Sequence, residues 1–173
     1  PAQSVDEDNT FTYTLSANDV DGDALTYSAT SSDGSVSVIG TTLTLTPDQD
    51  FNGDIQIDVT VDDGQLTDSE SFTLTVNSIN DTPILDTISD QSVDEDNTFT
   101  YTLSASDVDE DILEYSVSVN ANATVSIDGS TLSITPYFNY TGDIFVSVIV
   151  TDSQLTDSES FTLVVNPVND APV

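Results

Sequence analysis

The chain has 173 residues, of which 32 are acidic (26 Asp and 6 Glu) and none is Lys, Arg, His or Cys, for a formal charge of −32. This excludes disulfides, thiolate metal sites and Cys nucleophiles, and it removes the cationic groups that nucleic-acid binding requires. Acid–base and nucleophilic chemistry would fall to carboxylates, hydroxyls and Tyr alone, so an enzyme is not expected. The apolar fraction of 36% is periodically arranged, which separates the chain from a disordered polyanion.

The elements follow in chain order. A lead-in strand is expected over 1–5. Over 10–17, Phe11, Tyr13 and Leu15 alternate with Thr12, Thr14 and Ser16, which is the period of a half-buried strand. The same period marks strands at 24–30, 35–39, 41–46, 54–62 and 70–79, separated by Asp/Gly/Asn turns. Seven short strands in fewer than 90 residues predict an all-β Greek-key sandwich.

The unit then repeats. Residues 3–28 recur at 91–116 with 22 of 26 positions identical, and residues 65–83 recur at 154–172 with 15 of 19 identical. The offset changes from 88 to 89, so one residue is inserted near 117–131. Two tandem seven-stranded sandwich domains are expected, 1–82 and 83–173, in an extended arrangement. No signal peptide or membrane span is evident, and a start inside the repeat pattern reads as a pair excised from a longer array.

Because successive strands reverse direction, the loops alternate between two ends of a sandwich. Glu7, Asp48, Asn80 and Asp81 are expected at one end of the first repeat, and Asp19, Asp21, Asp23 and Asp63 at the other, roughly 27 Å away at ~3.4 Å per residue. Stacking the second repeat after the first would bring Asp107, Asp109 and Asp152 to Glu7, Asp48, Asn80 and Asp81. Carboxylates so gathered repel unless a cation lies among them. Hard oxygen donors on turns suit Ca²⁺ better than Zn²⁺ or Mg²⁺, and two or three ions are expected there. Turn chemistry by itself also favours Asp and Asn in such loops, as would a saline habitat. Asp19-Val-Asp-Gly-Asp opens like an EF-hand loop, but Thr30 stands where the closing Glu is needed and the flanks are strands.

Ala17-Asn-Asp-Val-Asp21, Val59-Thr-Val-Asp-Asp-Gly-Gln-Leu66 and Val76-Asn-Ser-Ile-Asn-Asp-Thr-Pro83 resemble the cadherin repeat. They are closer still to bacterial tandem cadherin-like domains ending in Val-Asn-Asp-Ala-Pro-Val, here Val168–Val173. The resemblance implies extracellular arrays in adhesins, with calcium stiffening each joint. By position, Glu7 and Glu95 match the family's basal glutamate, Asp19/Asp21 and Asp107/Asp109 its Asp-x-Asp motif, and Asp63 and Asp152 its later aspartate. Asn77, Asn80 and Asp81 match the linker motif, leaving Asp19, Asp21, Asp63, Glu95, Asn169 and Asp170 as half-sites for neighbouring repeats. Tyr137 replaces Asp48 and Asn139 replaces Asp50 in the second copy, so the joint below it is expected to hold its ions less well.

Other readings of the surface stand beside this one. Phe145 and Ile149 replace Gln56 and Thr60 near Tyr137, Phe138 and Tyr140, a candidate homophilic or ligand surface on a cell-surface protein. The ladders Thr10/Thr12/Thr14 and Thr42/Thr44/Thr46 could face a carbohydrate or ice, although Thr is simply a good strand residue. A glycosidase pair of carboxylates is disfavoured by their position on repeated loops. Asn-x-Thr sequons at Asn80, Asn122 and Asn139 read as chance. The expected partners are neighbouring repeats and another surface protein or glycan, without nucleic acid or membrane insertion.

Overall fold

The structure is a computed structural model that describes residues 3–171. It divides into two compact units, Pro1–Ile79 and Asn80–Val173. Residues 1–2 of the expected lead-in strand, and Pro172 and Val173 of the closing motif, lie outside the described residues.

The first unit contains β1 (Gln3–Asp6), β2 (Phe11–Thr14), β3 (Thr26–Ser31), β4 (Ser35–Ile39), β5 (Thr42–Thr46), β6 (Gly53–Asp62) and β7 (Thr67–Asn77). They form two sheets, β1-β7-β6-β3 and β2-β5-β4. All pairs are antiparallel except β1 with β7, which run parallel, Gln3 opposite Leu74 and Asp6 opposite Asn77. Alternation explains the packing. Leu43 and Leu45 of β5, Ile55 and Ile57 of β6 and Leu74 of β7 are fully buried, while the residues between them face outward. The interleaved Thr residues meet across the outer face of the smaller sheet. Thr12 pairs with Thr44 and Thr14 with Thr42 in register, and the Thr10 and Thr46 hydroxyls lie 3.1 Å apart.

The second unit repeats this plan and adds to it. Its strands are β8 (Ile84–Leu85), β9 (Gln91–Asp94), β10 (Phe99–Thr102), β11 (Ala105–Ser106), β12 (Glu114–Val119), β13 (Ala123–Asp128), β14 (Thr131–Pro136), β15 (Gly142–Thr151) and β16 (Thr156–Asn166). The sheets β12-β15-β16-β9 and β10-β14-β13 match those of the first unit, and β8 pairs with β11 in a short ribbon of its own. The seven-strand expectation therefore holds for the first unit and falls two short in the second. The expected strand over 10–17 is also broken. Pairing of β2 stops at Thr14, and the corresponding stretch of the second unit resumes as β11 only because β8 lies beside it.

The inserted residue has a local cause. Two residues, 32–33, separate Ser31 from Gly34, whereas three, 120–122, separate Val119 from Ala123. Gly34 has φ +68°, and a Cβ there would lie 2.4 Å from the Thr46 carbonyl oxygen. In the second unit the extra residue lets Asn122 take the left-handed conformation at φ +64°. The position after it is then free to be the buried Ala123.

A second substitution runs the other way. Gly22, at φ +81°, is replaced 88 residues later by Glu110 at φ +60°. A left-handed residue with a Cβ costs ~1 kcal/mol. Glu110→Gly is therefore expected to raise the stability of the second unit by about 1 kcal/mol. Denaturant unfolding checks this, with the first unit's transition unmoved.

Candidate metal centre

The acids expected to bind metal lie in the loops at the ends of each unit, many of them held by backbone amides of the same loop. At the end of the first unit where β1 and β7 finish, the Glu7 amide donates to the Asn77 carbonyl at 2.9 Å, and Glu7 Oε1 accepts from the Ile79 amide at 2.5 Å. The side chain is 3% exposed, and Oε2 is buried with no hydrogen-bond partner. Glu95 repeats this arrangement in the second unit. Its Oε1 accepts from the Val168 amide at 2.6 Å, and it is also buried. A buried carboxylate normally needs a paired cation or several donors. No Lys, Arg or His exists anywhere in the chain to supply one.

Asp8 and Asp50 sit beside Glu7 for a different reason. Both adopt left-handed backbone, φ +59° and +56°, and Asp8 Oδ1 accepts from the Asp50 amide at 3.2 Å. Their counterparts Asp96 and Asn139 do the same at 2.9 Å. These positions are explained by turn geometry. Asp48 is exposed on the connection from β5 to β6, and Asn77 donates its side-chain amide to Asp6 at 2.9 Å. Neither side chain is drawn into the buried set.

The opposite end of the second unit is richer. Asp107 Oδ1 accepts from the amides of Asp109 and Asp111 at 2.9 and 3.4 Å, which closes the loop on itself. Asp107 Oδ2 is buried without a hydrogen-bond partner. One carboxylate oxygen from each of Asp107, Asp109 and Asp111 lies within 4.8 Å of the others, a spacing that suits a shared cation. The start of the unit closes over this loop. Asp109 Oδ2 accepts from the Asp81 amide at 2.8 Å, and Asp152 Oδ2 accepts from Asn80 Nδ2 at 2.7 Å. Asn80 also donates to the Asp81 carbonyl at 2.8 Å and accepts from Gln154 Nε2. Asn80 and Asp81 thus belong to the second unit, although sequence order had placed them at the end of the first.

Asp152 is buried between β15 and β16. Hydrogen bonds from Asn80, then from the backbone of Leu155 and Gln154, hold its carboxyl below the usual carboxylate range. Asp63, its counterpart in the first unit, is lowered by the amides of Leu66 and Gln65, each 2.7 Å from Oδ1. Asp19 likewise accepts from the amides of Asp21 and Asp23 at 2.8 and 3.0 Å. These loops therefore close on their own carboxylates, while Asn169 and Asp170 stand exposed, with Asn169 donating to the Asp170 carbonyl at 3.0 Å. Sequence reasoning overlooked Gln154. Its signal was the Asp-x-Gln-Leu spacing shared by Asp63–Leu66 and Asp152–Leu155.

The remaining surface features are also resolved. Phe145 and Ile149 are 58% and 40% exposed on the outer face of the larger sheet of the second unit, and Tyr137 and Phe138 are exposed on the β14–β15 connection. Tyr140 does not join them. It packs against the core and donates its hydroxyl to the Asp143 carbonyl at 3.0 Å.

With this geometry in hand, the chain can be set beside known proteins. A family model described as bacterial Ig domain matches residues 1–77 and again 80–164. The chain belongs to the bacterial Ig domain family. No curated protein sequence matches it. Among solved structures, human protocadherin-24 EC1-2 (Form II) is 15% identical over 96% of this chain and 95% of that one, with a TM-score of 0.65. Mouse clustered PcdhgC3 EC1-3 is 15% identical over 97% of this chain and 66% of that one, with a TM-score of 0.53. These likenesses show that the bacterial Ig repeats have a cadherin-like sandwich fold. An endo-fucoidan hydrolase from glycoside hydrolase family 107 aligns with 97% of the chain at 18% identity and a TM-score of 0.41. The chain spans only 28% of that enzyme's length, and so weak a likeness carries no functional argument. No helix among the described residues is long and apolar enough to cross a membrane.

The lowered Asp152 carboxyl fixes the sign of a pH effect. Its folded pKa lies below its unfolded value, so its contribution is complete at neutral pH and is lost as pH falls below about 4. The stability difference between the native protein and Asp152→Ala, measured by denaturant unfolding without added metal, is expected to be largest near pH 7. It should narrow steadily as the pH is lowered through that range.

Proposed function

We propose that this pair of bacterial Ig repeats is a calcium-stiffened extender of a bacterial cell-surface adhesin, working outside the cell. The observation that carries the reading is the Glu7 carboxylate. It is buried, one oxygen lacks a hydrogen-bond partner, and the sequence contains no basic side chain to pair with it. The partner-less buried oxygen of Asp107 poses the same requirement in the second unit. Hard carboxylate and amide oxygens on short side chains fit Ca²⁺.

In this reading Glu7, Asn80, Asp81, Asp107, Asp109 and Asp152 hold two or three calcium ions at the joint between the repeats, and Asp48 and Asn77, which lie outside the buried set, would have to turn toward the ions to join them. The chain's connectivity supports it. Ile79 donates its amide to Glu7, while the next residue, Asn80, donates to Asp152. Consecutive Cα atoms are ~3.8 Å apart, so the anchors of the two acid sets are adjacent links of one backbone. An ion that needs both sets binds only an aligned pair and stabilises that alignment by mass action. Asp19, Asp21 and Asp63, and Glu95, Asn169 and Asp170, would form the matching halves of joints with neighbouring repeats.

A second reading, recognition of another surface protein or a glycan by the repeats themselves, rests on exposed Phe145 and Ile149. The Thr ladders lend it less support, because cross-strand Thr pairing already accounts for them.

Calcium titration by calorimetry separates a shared site from independent ones. Glu7→Gln and Asp107→Asn lie in different repeats, and each is expected to weaken the tightest calcium site at least tenfold. A tightest site left intact by either substitution would show that the repeats do not share it.

A further inference from the structure

In each unit one row of residues crosses the outer face of the larger sheet, and its chemistry differs between the two. In the first unit the Ser32 amide donates to the Gln56 carbonyl and Ser32 Oγ accepts from the Gln56 amide, both at 3.0 Å. Gln56 lies opposite Thr73, whose hydroxyl donates to Gln56 Oε1 at 3.4 Å. The side chains of that row therefore satisfy one another. In the second unit Asn120 makes the two equivalent bonds with Phe145, both at 3.1 Å. Phe145 lies opposite Thr162, whose amide donates to Asp90 Oδ1 at 2.7 Å. The row now reads amide, aromatic ring, hydroxyl, carboxylate, where the first repeat has Ser32, Gln56, Thr73 and, 88 positions before Asp90, Ala2.

These exchanges leave polar atoms to spare. Phe145 offers no acceptor to the Thr162 hydroxyl, and that hydroxyl, Asn120 Nδ2 and Asp90 Oδ2 make no hydrogen bond among the described residues. Asn120 and Asp90 are still held in place, because each spends its other oxygen on a backbone amide. With Ser118 and Ser160, the four residues of the row line an open hollow of about 400 Å³. The same face has also shed charge, since Asp58 and Asp62 of the first unit are Ser147 and Thr151 here. Packing does not account for this. The inward-facing residues between them stay apolar in both repeats, and Phe145 is left 58% exposed.

We propose that this hollow of the second unit binds a neutral glycan, with Phe145 as the platform for a sugar ring. The inference rests on the second reading above, recognition by the repeats themselves, and gives it a place and a ligand class. The apolar C–H face of a sugar stacks on an exposed aromatic ring, while its hydroxyls, each both donor and acceptor, need partners of both kinds at the ring's edge. Asn120 supplies a donor, Asp90 an acceptor, and Thr162, Ser118 and Ser160 supply groups that act as either. The row spans three strand spacings, roughly 14 Å, which suits a short oligosaccharide. An acidic glycan is a poor occupant, since Asp90 lines the hollow and the chain has no Lys, Arg or His to meet a uronate or sulfate. A second copy of the chain fits no better. It would set its own Asp90 and Asp143 against the same groups. The uncharged stretch from Phe145 to Thr151 also presents only about 20 by 14 Å, roughly 300 Å², against the ~800 Å² per partner of a stable protein interface.

Saturation-transfer NMR on the full chain tests this, with short neutral oligosaccharides of glucose, mannose, galactose and N-acetylglucosamine as probes. At least one is expected to receive saturation from the protein. Phe145→Gln, which installs the residue the first repeat already tolerates, should weaken that probe's binding about tenfold. Asp90→Ala should weaken it severalfold, and Ile149→Thr, on the same face but outside the hollow, should leave it within about twofold. Transfer that survives Phe145→Gln would overturn this site while leaving recognition by the repeats intact, with the glycan held elsewhere. No transfer from any of the four probes would overturn the glycan and leave that reading only a protein partner. A concentration-dependent dimer abolished by Phe145→Gln would also overturn the proposal, since it would assign the face to a second copy of the chain.

Discussion

A carboxylate buried in a chain without a single basic side chain is the constraint around which the rest of this structure is arranged. Glu7 and Glu95 occupy equivalent places, each accepting one backbone amide and each sunk below the surface. Burial of an ion is tolerated only where charge or donors meet it, and in the proposed function that charge is supplied from solution. That requirement joins the sequence, a polyanion with no internal counter-ions, to the proposed function, a rod whose stiffness depends on a dissolved cation.

The stretch from Ile79 to Asp90 is the second structural theme. It gives an amide to Glu7, places Asn80 and Asp81 on Asp152 and Asp109, and sends Leu85 and Ile88 into the core of the second unit. What sequence alone treats as a connector is therefore mostly core strand and loop anchor. The segment is fastened to the first unit at Ile79 and to the second from Asn80 onward. Its apolar and its polar residues serve the same end.

Much of this was legible beforehand, for physical reasons that can be named. Period-two alternation around Leu43, Leu45, Ile55 and Ile57 specified strands, because only one face of each strand can be buried. The internal repeat fixed the size of the unit. The assignment of Asp107, Asp109 and Asp152 to one end needed only strand reversal and short loops. Hidden from sequence was β8, since Ile84-Leu85 is too short to show a period and its meaning lies in pairing with Ala105–Ser106. Hidden too was the division among acids. Asp8 and Asp50 serve turns, whereas Glu7 and Asp107 keep a buried oxygen without a partner. Nothing in composition distinguishes those roles, and the left-handed backbone at the first pair does.

Two or three calcium ions would offset only about 4 to 6 of the 32 negative charges. The remainder is a solvated surface whose mutual repulsion is screened over roughly 8 Å at physiological ionic strength. Monovalent salt screens all of these charges, but only a multidentate cation can bridge two acid sets, so length and charge screening can be separated by experiment. Small-angle X-ray scattering at constant ionic strength, with calcium and then with excess chelator, addresses the central claim most directly. The account predicts a well-defined rod in calcium, and in chelator a smaller, broadly distributed maximum dimension. The same distance distribution in both conditions would contradict it.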